Sequence, residues 1–198
     1  MFDDPAIIEK TKKRAREIFS TQRANCAESV FRTIFELVDS DFPPEVYTLL
    51  TPLGGGIATR GETCGALTGG VIALGLFHSR SQREQDALES NRTGLWQAYK
   101  FYNQLPQRFD ERFGSTQCWD LTRDFTYGTE ECKLNCLKIT EETAGMVAAL
   151  ILESRENGMN FKFGKTVLEQ VAEDTGLSID ELVSYKSQGK HFPTPKKK

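Results

Sequence analysis

The sequence predicts an all-α protein: a multi-helix bundle with a glycine-rich loop before a central glycine-rich helix, and a small C-terminal helical hairpin. Apolar residues recur at helical spacing through most of the chain, which is the main sequence signal of amphipathic helices. Clusters of glycine and proline, such as Pro43-Pro44 and residues 54–61, separate these stretches and end helices. With 198 residues, 38% of them hydrophobic and 27% charged, the chain has the composition of a packed globular fold.

Two helices near the beginning of the chain are predicted from their caps. Pro5 suits the first position of a helix. The residues that share one face of this helix are Ile7, Ile8, Ala15, Ile18 and Phe19. Asn25 is a good N-cap, and Glu28 three residues later completes a capping box. We therefore expect a second helix to begin at Asn25 and to end before Asp39.

The middle of the chain is rich in glycine. A short helix follows Pro44, residues 54–61 form a tightly turning loop, and a helix over residues 63–78 carries Gly65, Gly69, Gly70 and Gly75. Each glycine inside a helix costs ~1 kcal/mol relative to alanine. This helix must therefore let another backbone or a bound group come very close, and Gly65 and Gly69 are the candidate cofactor-binding positions.

Further helices complete the predicted bundle. A long helix covers residues 81–113, with a break near Gly94 or Pro106. Its expected core residues are Leu95, Tyr99, Tyr102 and Leu105. A short helix capped by Ser115 holds Cys118, residues 122–131 form a loop, and the last long helix covers residues 132–154. The pattern changes after Asn157, so we predict a cysteine-containing domain over residues 1–157. An appendage with a helical hairpin and a basic tail follows over residues 158–198.

Charge and hydropathy exclude several classes of function. A net charge of −3 gives no reason to expect a nucleic acid or an anionic membrane as the partner. The acidic start of the chain is not followed by the apolar region of a secretory signal. The longest apolar stretches are far below the ~20 residues that span a bilayer. We expect a cytoplasmic protein, in a compartment that keeps thiols reduced.

The cysteines are the strongest functional signal. The chain has five, Cys26, Cys64, Cys118, Cys132 and Cys136. An odd number cannot form a closed disulfide framework within one chain, and a reducing compartment argues against structural disulfides. The first four fall at predicted helix starts, where free N–H groups and the helix dipole favour anions and lower the pKa of a thiol. A thiolate is both a nucleophile and a metal ligand, so this placement indicates redox chemistry or metal binding.

The motifs also occur in the order typical of a known family. They are Asn25-Cys26-Ala27, Gly54-Gly55-Gly56, Gly61-Glu62-Thr63-Cys64-Gly65-Ala66, Glu111-Arg112-Phe113-Gly114-Ser115 with Cys118, and Cys136-Leu137-Lys138-Ile139. This order resembles the C-GCAxxG-C-C family, small helical proteins named for their cysteine pattern and classed as redox-active. Cys26, Cys64, Cys118 and Cys136 match the family cysteines, while Cys132 is additional. Thr63 precedes Cys64, so the central motif is not literal. The resemblance implies redox activity, or metal or iron–sulfur binding.

Three functions stay open on these residues, and whether the protein is an enzyme stays open with them. In a dithiol/disulfide protein, Cys64 would attack and Cys26 or Cys118 would resolve, with a redox partner protein or a small thiol or disulfide as substrate. In a metal-thiolate protein, an iron–sulfur cluster or zinc would be held by Cys26, Cys64, Cys118, Cys132 and Cys136. In a helical interaction module, the cysteines would only pack. A homodimer that shares its site between subunits is compatible with each.

Overall fold

The computed structural model describes residues 4–21, 23–38, 40, 42–78, 92–157 and 167–187. In chain order the helices are α1 (Ala6–Thr21), α2 (Cys26–Phe35), a 3₁₀ segment (Pro44–Leu53), α3 (Gly65–His78), α4 (Arg92–Phe113), α5 (Cys118–Thr122), α6 (Glu130–Asn157), α7 (Val167–Thr175) and α8 (Ile179–Ser187). These residues contain no strand, only an isolated antiparallel bridge between Thr63 and Gln117. The predicted all-α class is confirmed.

The chain divides into two compact units, Met1–Phe161 and Lys162–Lys198. The second unit contains α7 and α8. Gly176 ends α7 with a φ of 72°, and its N–H donates to the carbonyl oxygen of Ala172 (2.8 Å). Ser178 then caps α8, because its hydroxyl accepts from the N–H of Glu181 (3.2 Å) while the Glu181 carboxylate accepts from the N–H of Ser178 (2.7 Å). These local signals account for the hairpin. The predicted division after Asn157 stays a prediction.

The core of the first unit lies between α1, α2, α3, α4 and α6. Helix α1 packs mainly against α6, and α2 packs mainly against α3. The largest fully buried side chains of this unit are Ile18, Val30, Ile34, Leu74, Phe101, Leu105, Phe109, Val147, Leu150 and Ile151. The predicted apolar face of α1 is confirmed, since Ile7, Ala15 and Ile18 are buried. Within the described residues, no helix combines the length and the apolar character needed to cross a lipid bilayer.

The short helix predicted after Pro44 is a 3₁₀ helix that contains Pro52. Two other predictions for the elements need correction. Helix α4 continues through Pro106, because burial of Leu105 and Phe109 on either side outweighs the ~3 kcal/mol that an interior proline costs. Tyr99 is exposed rather than in the core. The predicted helical residues 81–91 lie outside the described residues, as does the side chain of Leu95.

Candidate functional site: a cluster of five cysteines

The structure brings all five cysteines together as free thiols, which we call the cysteine cluster. Cys64, Cys118 and Cys132 are buried, while Cys26 and Cys136 retain some exposed surface. The thiols are close enough to perturb one another. Cys26 acts electrostatically on Cys64, Cys118 and Cys136, and Cys132 acts on Cys118 and Cys136. Residues far apart in sequence therefore form one site at the meeting point of α2, α3, α5 and α6.

Cys64 and Cys118 are held next to each other by backbone hydrogen bonds. The N–H of Cys64 donates to the carbonyl oxygen of Thr116 (2.8 Å), and the N–H of Cys118 donates to the carbonyl oxygen of Glu62 (2.7 Å). The N–H of Trp119 continues this pairing to the carbonyl oxygen of Gly61 (2.9 Å). The glycine-rich loop and the start of α5 are thus joined just where each carries its cysteine.

Asn25 positions Cys26. Its side-chain oxygen accepts from the N–H groups of Ala27 (2.9 Å) and Glu28 (3.0 Å), and the Glu28 carboxylate accepts from the N–H of Asn25 (2.8 Å). The predicted capping box is confirmed. The Asn25 amide also donates to the carbonyl oxygen of Thr51 (3.0 Å). One side chain therefore orients Cys26 and holds the end of the 3₁₀ segment, from which the glycine-rich loop begins.

Gly65 and Gly69 accommodate protein backbone. A Cβ added at Gly65 would lie 2.8 Å from the carbonyl oxygen of Leu53, and one added at Gly69 would lie 2.7 Å from the Cα of Ala27. Real Cβ atoms essentially never come this close. The close approach predicted for this helix is therefore made by α2 and the 3₁₀ segment, and the space beside both candidate cofactor-binding glycines is filled by the protein itself.

The glycine-rich loop contains a left-handed turn that faces the cluster. Five consecutive residues, Gly55, Gly56, Ile57, Ala58 and Thr59, have φ values between 51° and 69°. This conformation costs a non-glycine residue ~1–2 kcal/mol, and such strain persists only where surrounding contacts fix it. A Cβ at Gly56 would lie 2.6 Å from the Cβ of Cys118. The turn thus packs directly against the cluster, and the N–H of Gly55 donates to the Cys26 sulfur.

Cys26 and Cys136 form the most strongly coupled pair in the cluster. The thiol of Cys136 hydrogen bonds to the Cys26 sulfur, and this bond is the main cause that lowers the pKa of Cys26. Enclosure of the sulfur by protein opposes the shift, while the N–H groups of Cys26 and Gly55 and the hydroxyl of Thr140 support it. The same bond raises the pKa of Cys136. The pair therefore loses its first proton below the ordinary thiol pKa and holds its second above it.

The expectation that helix starts would favour several thiolates is wrong for Cys64 and Cys118. Burial raises the pKa of Cys64 to about 12, assisted by the charge on Cys26, although the N–H groups of Ala66 and Leu67 at the first turn of α3 act in the opposite direction. Burial and the charges of Cys26 and Cys132 raise the pKa of Cys118 to about 11. Loss of hydration and mutual repulsion outweigh the helix-start effect at both thiols.

The cluster does not fit a metal ion as it stands. Over the ranges that the structure describes, which include all five cysteines, no three His, Cys, Asp or Glu side chains are arranged to hold one. The cavity between Cys26, Cys64, Cys118 and Cys136 measures about 10 Å³, which is about the space of a single water-sized probe. The alternative of an iron–sulfur cluster or zinc site on these residues is not supported by this arrangement.

Two residues near the sulfurs were not predicted from the sequence. Thr140 lies one turn after Cys136, and its hydroxyl proton is within reach of both the Cys26 sulfur and the carbonyl oxygen of Cys136 (2.7 Å). Its i,i+4 spacing from Cys136 was a usable signal. Tyr127 lies in the predicted loop. Its side chain is largely exposed, but partial burial of its hydroxyl and the charges of the cluster, that of Cys118 foremost, raise its pKa. No local pattern marks Tyr127, because its contact with the cluster is purely tertiary.

We expect Asn25→Ala to lower the free energy of unfolding by about 1–2 kcal/mol, since N-cap replacements cost about this much and the bond to Thr51 is lost as well. Urea unfolding followed by circular dichroism measures the change. Ser20→Ala is the matched control, because the Ser20 hydroxyl is exposed and, among the described residues, bonds only carbonyl oxygens of its own helix. We expect it to change stability by less than about 0.5 kcal/mol. Equal effects of the two substitutions would contradict the positioning role of Asn25.

Comparison with known proteins gives two matches. A family described as a "putative redox-active protein" and named C-GCAxxG-C-C matches residues 24–150, a span that contains all five cysteines. An uncharacterized protein of Archaeoglobus fulgidus is 23% identical over 147 residues, which cover 74% of this chain and 97% of that protein. No solved structure matches the chain.

Proposed function

The chain belongs to the C-GCAxxG-C-C family, and from that premise we propose that it is a dithiol/disulfide redox protein whose working couple is Cys26 and Cys136. The observation that carries the proposal is that Cys26 and Cys136 line one cavity of about 10 Å³, where their interaction lowers the pKa of Cys26 and raises the pKa of Cys136. A thiolate beside a protonated thiol is the reduced form that thiol–disulfide exchange requires.

The reaction is balanced by one disulfide of the substrate, R–S–S–R. A protein thiolate attacks one substrate sulfur, a mixed disulfide forms, and the first RS⁻ leaves. A second protein thiol gives up its proton and attacks the mixed disulfide, which releases the second RS⁻. Two protein thiols are oxidised, one substrate disulfide is reduced, and two RSH form after the released thiolates take up protons. The substrate is a small disulfide or a disulfide of a redox partner protein.

The other three cysteines take roles that follow from their surroundings. Cys64, which the sequence nominates as the attacking thiol, is buried, and its pKa is raised to about 12. We therefore assign the resting thiolate to Cys26, and a buried, protonated thiol of the cluster attacks only after Cys26 has taken its proton. Cys118 and Cys132 are close enough to interact with each other, and Cys118 is the cysteine whose charge acts most strongly on Tyr127. These two are suited to exchange with the central pair, because disulfides move between neighbouring thiols by repeated exchange.

Mild oxidation with diamide tests the proposal. We expect the number of free thiols to fall from the five of the reduced chain by two, since one disulfide consumes two thiols, and peptide mapping without reductant to link Cys26 with Cys136. The protein should stay monodisperse during this change, because the disulfide forms within one chain. Cys132→Ser is the matched control and should lose two thiols likewise, whereas Cys136→Ser should form no such link.

Two results would count against the proposal. An unchanged thiol count after oxidation, or disulfides only between chains, would show that the two sulfurs are not a redox couple. Stoichiometric iron, sulfide or zinc in protein purified without oxygen would favour the metal-thiolate alternative, since bound metal would occupy the same thiols. Metal analysis and the visible absorption spectrum of the same preparation decide this point.

A further inference from the structure

A pocket of about 390 Å³ opens beside Cys118, and three aromatic side chains line it. Trp119 is 71%, Tyr127 61% and Phe125 38% exposed. A group of exposed large apolar side chains points to a binding site more than a single one does. We call this site the aromatic pocket. Its volume is typical of sites that enclose small molecules, and flat aromatic surfaces around a thiol are what an organic ligand would cover.

The charge of the aromatic pocket is set by one residue. Arg123 is the charged side chain among the residues that line it. Within the described ranges the Arg123 side chain has no hydrogen-bond or ion-pair partner, in contrast to Arg14, Arg16 and Arg108, which each pair with a glutamate. An unpaired guanidinium presents a planar fork of donors that matches a carboxylate. A ligand of this pocket should therefore carry one such anion.

Contacts with the glycine-rich loop fix the main chain of Trp119 in the wall of the aromatic pocket. The main-chain N–H of Trp119 donates to the carbonyl oxygen of Gly61 (2.9 Å). Gly61 has a φ of 83°, and a Cβ added there would lie 3.2 Å from the Trp119 Cβ. The main chain of Trp119 is thus fixed while its ring stays exposed. A pocket wall whose main chain is already ordered loses less entropy on binding than one that must first be ordered.

Cys118 connects the aromatic pocket with the interior of the cluster. It lines this pocket, and it also lines the cavity of about 10 Å³ that Cys26, Cys64 and Cys136 share. The inner cavity has no room for an organic molecule, and Cys118 is the cysteine that lines the aromatic pocket, so a disulfide held in that pocket meets the cluster at Cys118. Building on the proposed function, we propose that the aromatic pocket binds a low-molecular-weight disulfide that carries a carboxylate, with Arg123 holding the carboxylate and Cys118 attacking the disulfide.

Electron transfer then proceeds inward by exchange. Cys118 passes its proton to the Cys26 thiolate and attacks R–S–S–R, which gives Cys118–S–S–R and RS⁻. RS⁻ recovers that proton from Cys26, and the Cys26 thiolate attacks the Cys118 sulfur and releases the second RS⁻. Cys136 gives its proton to this RS⁻ and attacks the Cys26 sulfur, so the disulfide ends between Cys26 and Cys136 while Cys118 leaves as a thiolate and is protonated from water. The sum is two protein thiols oxidised and one substrate disulfide reduced to two RSH.

Stopped-flow kinetics of the reduced full-length protein with two probes tests the proposal. Dithiobis(nitrobenzoate) is an aromatic disulfide with a carboxylate on each ring, and dithiodipyridine is a neutral aromatic disulfide. We expect the rate with dithiobis(nitrobenzoate) to saturate with concentration, and Arg123→Gln to raise its half-saturating concentration about tenfold, the loss of one charge-assisted contact of ~1.4 kcal/mol. The same substitution should change the half-saturating concentration of dithiodipyridine by less than about twofold. Trp119→Ala should weaken the binding of both probes. Arg123→Lys should keep part of the preference for the charged probe over the neutral one.

The controls separate this proposal from the proposed function. Arg60→Gln removes an exposed cation of the glycine-rich loop, which pairs with Glu62, and it should leave the kinetics of both probes unchanged. Cys118→Ser should abolish the saturable phase. A rate that rises linearly with both probes, a saturable phase that survives Cys118→Ser, or equal effects of Arg123→Gln and Arg60→Gln would overturn the pocket proposal. If diamide still links Cys26 with Cys136, the pocket proposal alone has failed; if no reagent forms that link, the proposed function has failed.

Discussion

Gly69→Ala is expected to destabilise the protein by roughly 2 kcal/mol and to lower its melting temperature by about 4–8 °C, the shift typical of a chain of this size. The added Cβ would lie 2.7 Å from the Cα and 2.9 Å from the carbonyl carbon of Ala27. These are backbone atoms of α2 and cannot rotate away, so α2 and α3 must separate. Overpacking of this kind costs about 1–3 kcal/mol or more, which exceeds the gain of up to ~1 kcal/mol in helix propensity.

Gly75→Ala is the matched control in the same helix. A Cβ at Gly75 has no described atom within 4 Å, so only the gain in helix propensity acts, and the melting temperature should stay equal or rise. Thermal unfolding of both variants by circular dichroism measures the contrast. Because Ala27 follows Cys26 directly, Gly69→Ala should also change the thiolate titration of Cys26. A melting temperature of Gly69→Ala at or above that of the unchanged protein would show that α2 and α3 do not meet here.

The parts of the fold that local chemistry determines could be predicted from the sequence. Asn25 and Glu28 cap α2 through atoms three residues apart, so their type and spacing were sufficient. The glycines of α3 indicated a close approach, but not which element approaches, because the contact of Gly69 with Ala27 joins residues far apart in the chain. Pro106 was a misleading signal for the same reason. Its cost is local, whereas the packing that offsets it is tertiary.

The site divides in the same way. The motif order singled out four of the cysteines, and the structure groups all five. The ionisation of the thiols could not be predicted, since burial and the charge on Cys26 determine the pKa of Cys64 and of Cys118 more than their helix starts do. The aromatic pocket could not be predicted from the sequence either. Trp119 lies in α5 and Tyr127 in the loop that follows it, which has no periodicity, and only the folded chain shows that both line one pocket with Cys118.

Cys26→Ser is expected to remove the first step of the thiolate titration and to slow disulfide exchange at neutral pH by about tenfold or more. A thiol with its pKa raised by about two units has ~100-fold less thiolate at neutral pH, and its greater intrinsic nucleophilicity restores only ~10-fold of that. Cys118, with its pKa raised to about 11, is such a thiol. Loss of the charge at Cys26 lowers the pKa of Cys118 in part, but burial of Cys118 remains. Ultraviolet thiolate absorbance against pH, with the exchange rate at neutral pH, measures both effects.

Cys64→Ser is the matched control, and the two substitutions should have opposite pH signatures in stability. The pKa of Cys26 is lowered from the ordinary value of 9.0, so its thiolate stabilises the folded state above that value, and this contribution disappears as the pH falls through the folded pKa. The pKa of Cys64 is raised to about 12, so its protonated thiol stabilises the folded state below the ordinary value, and this contribution disappears as the pH rises toward 12. The stability lost by Cys26→Ser should therefore grow with rising pH, and that lost by Cys64→Ser should shrink. Parallel pH profiles of urea unfolding would contradict the assignment of the thiolate to Cys26. A low-pH thiolate step that survives Cys26→Ser and vanishes in Cys64→Ser would assign the thiolate to Cys64 instead.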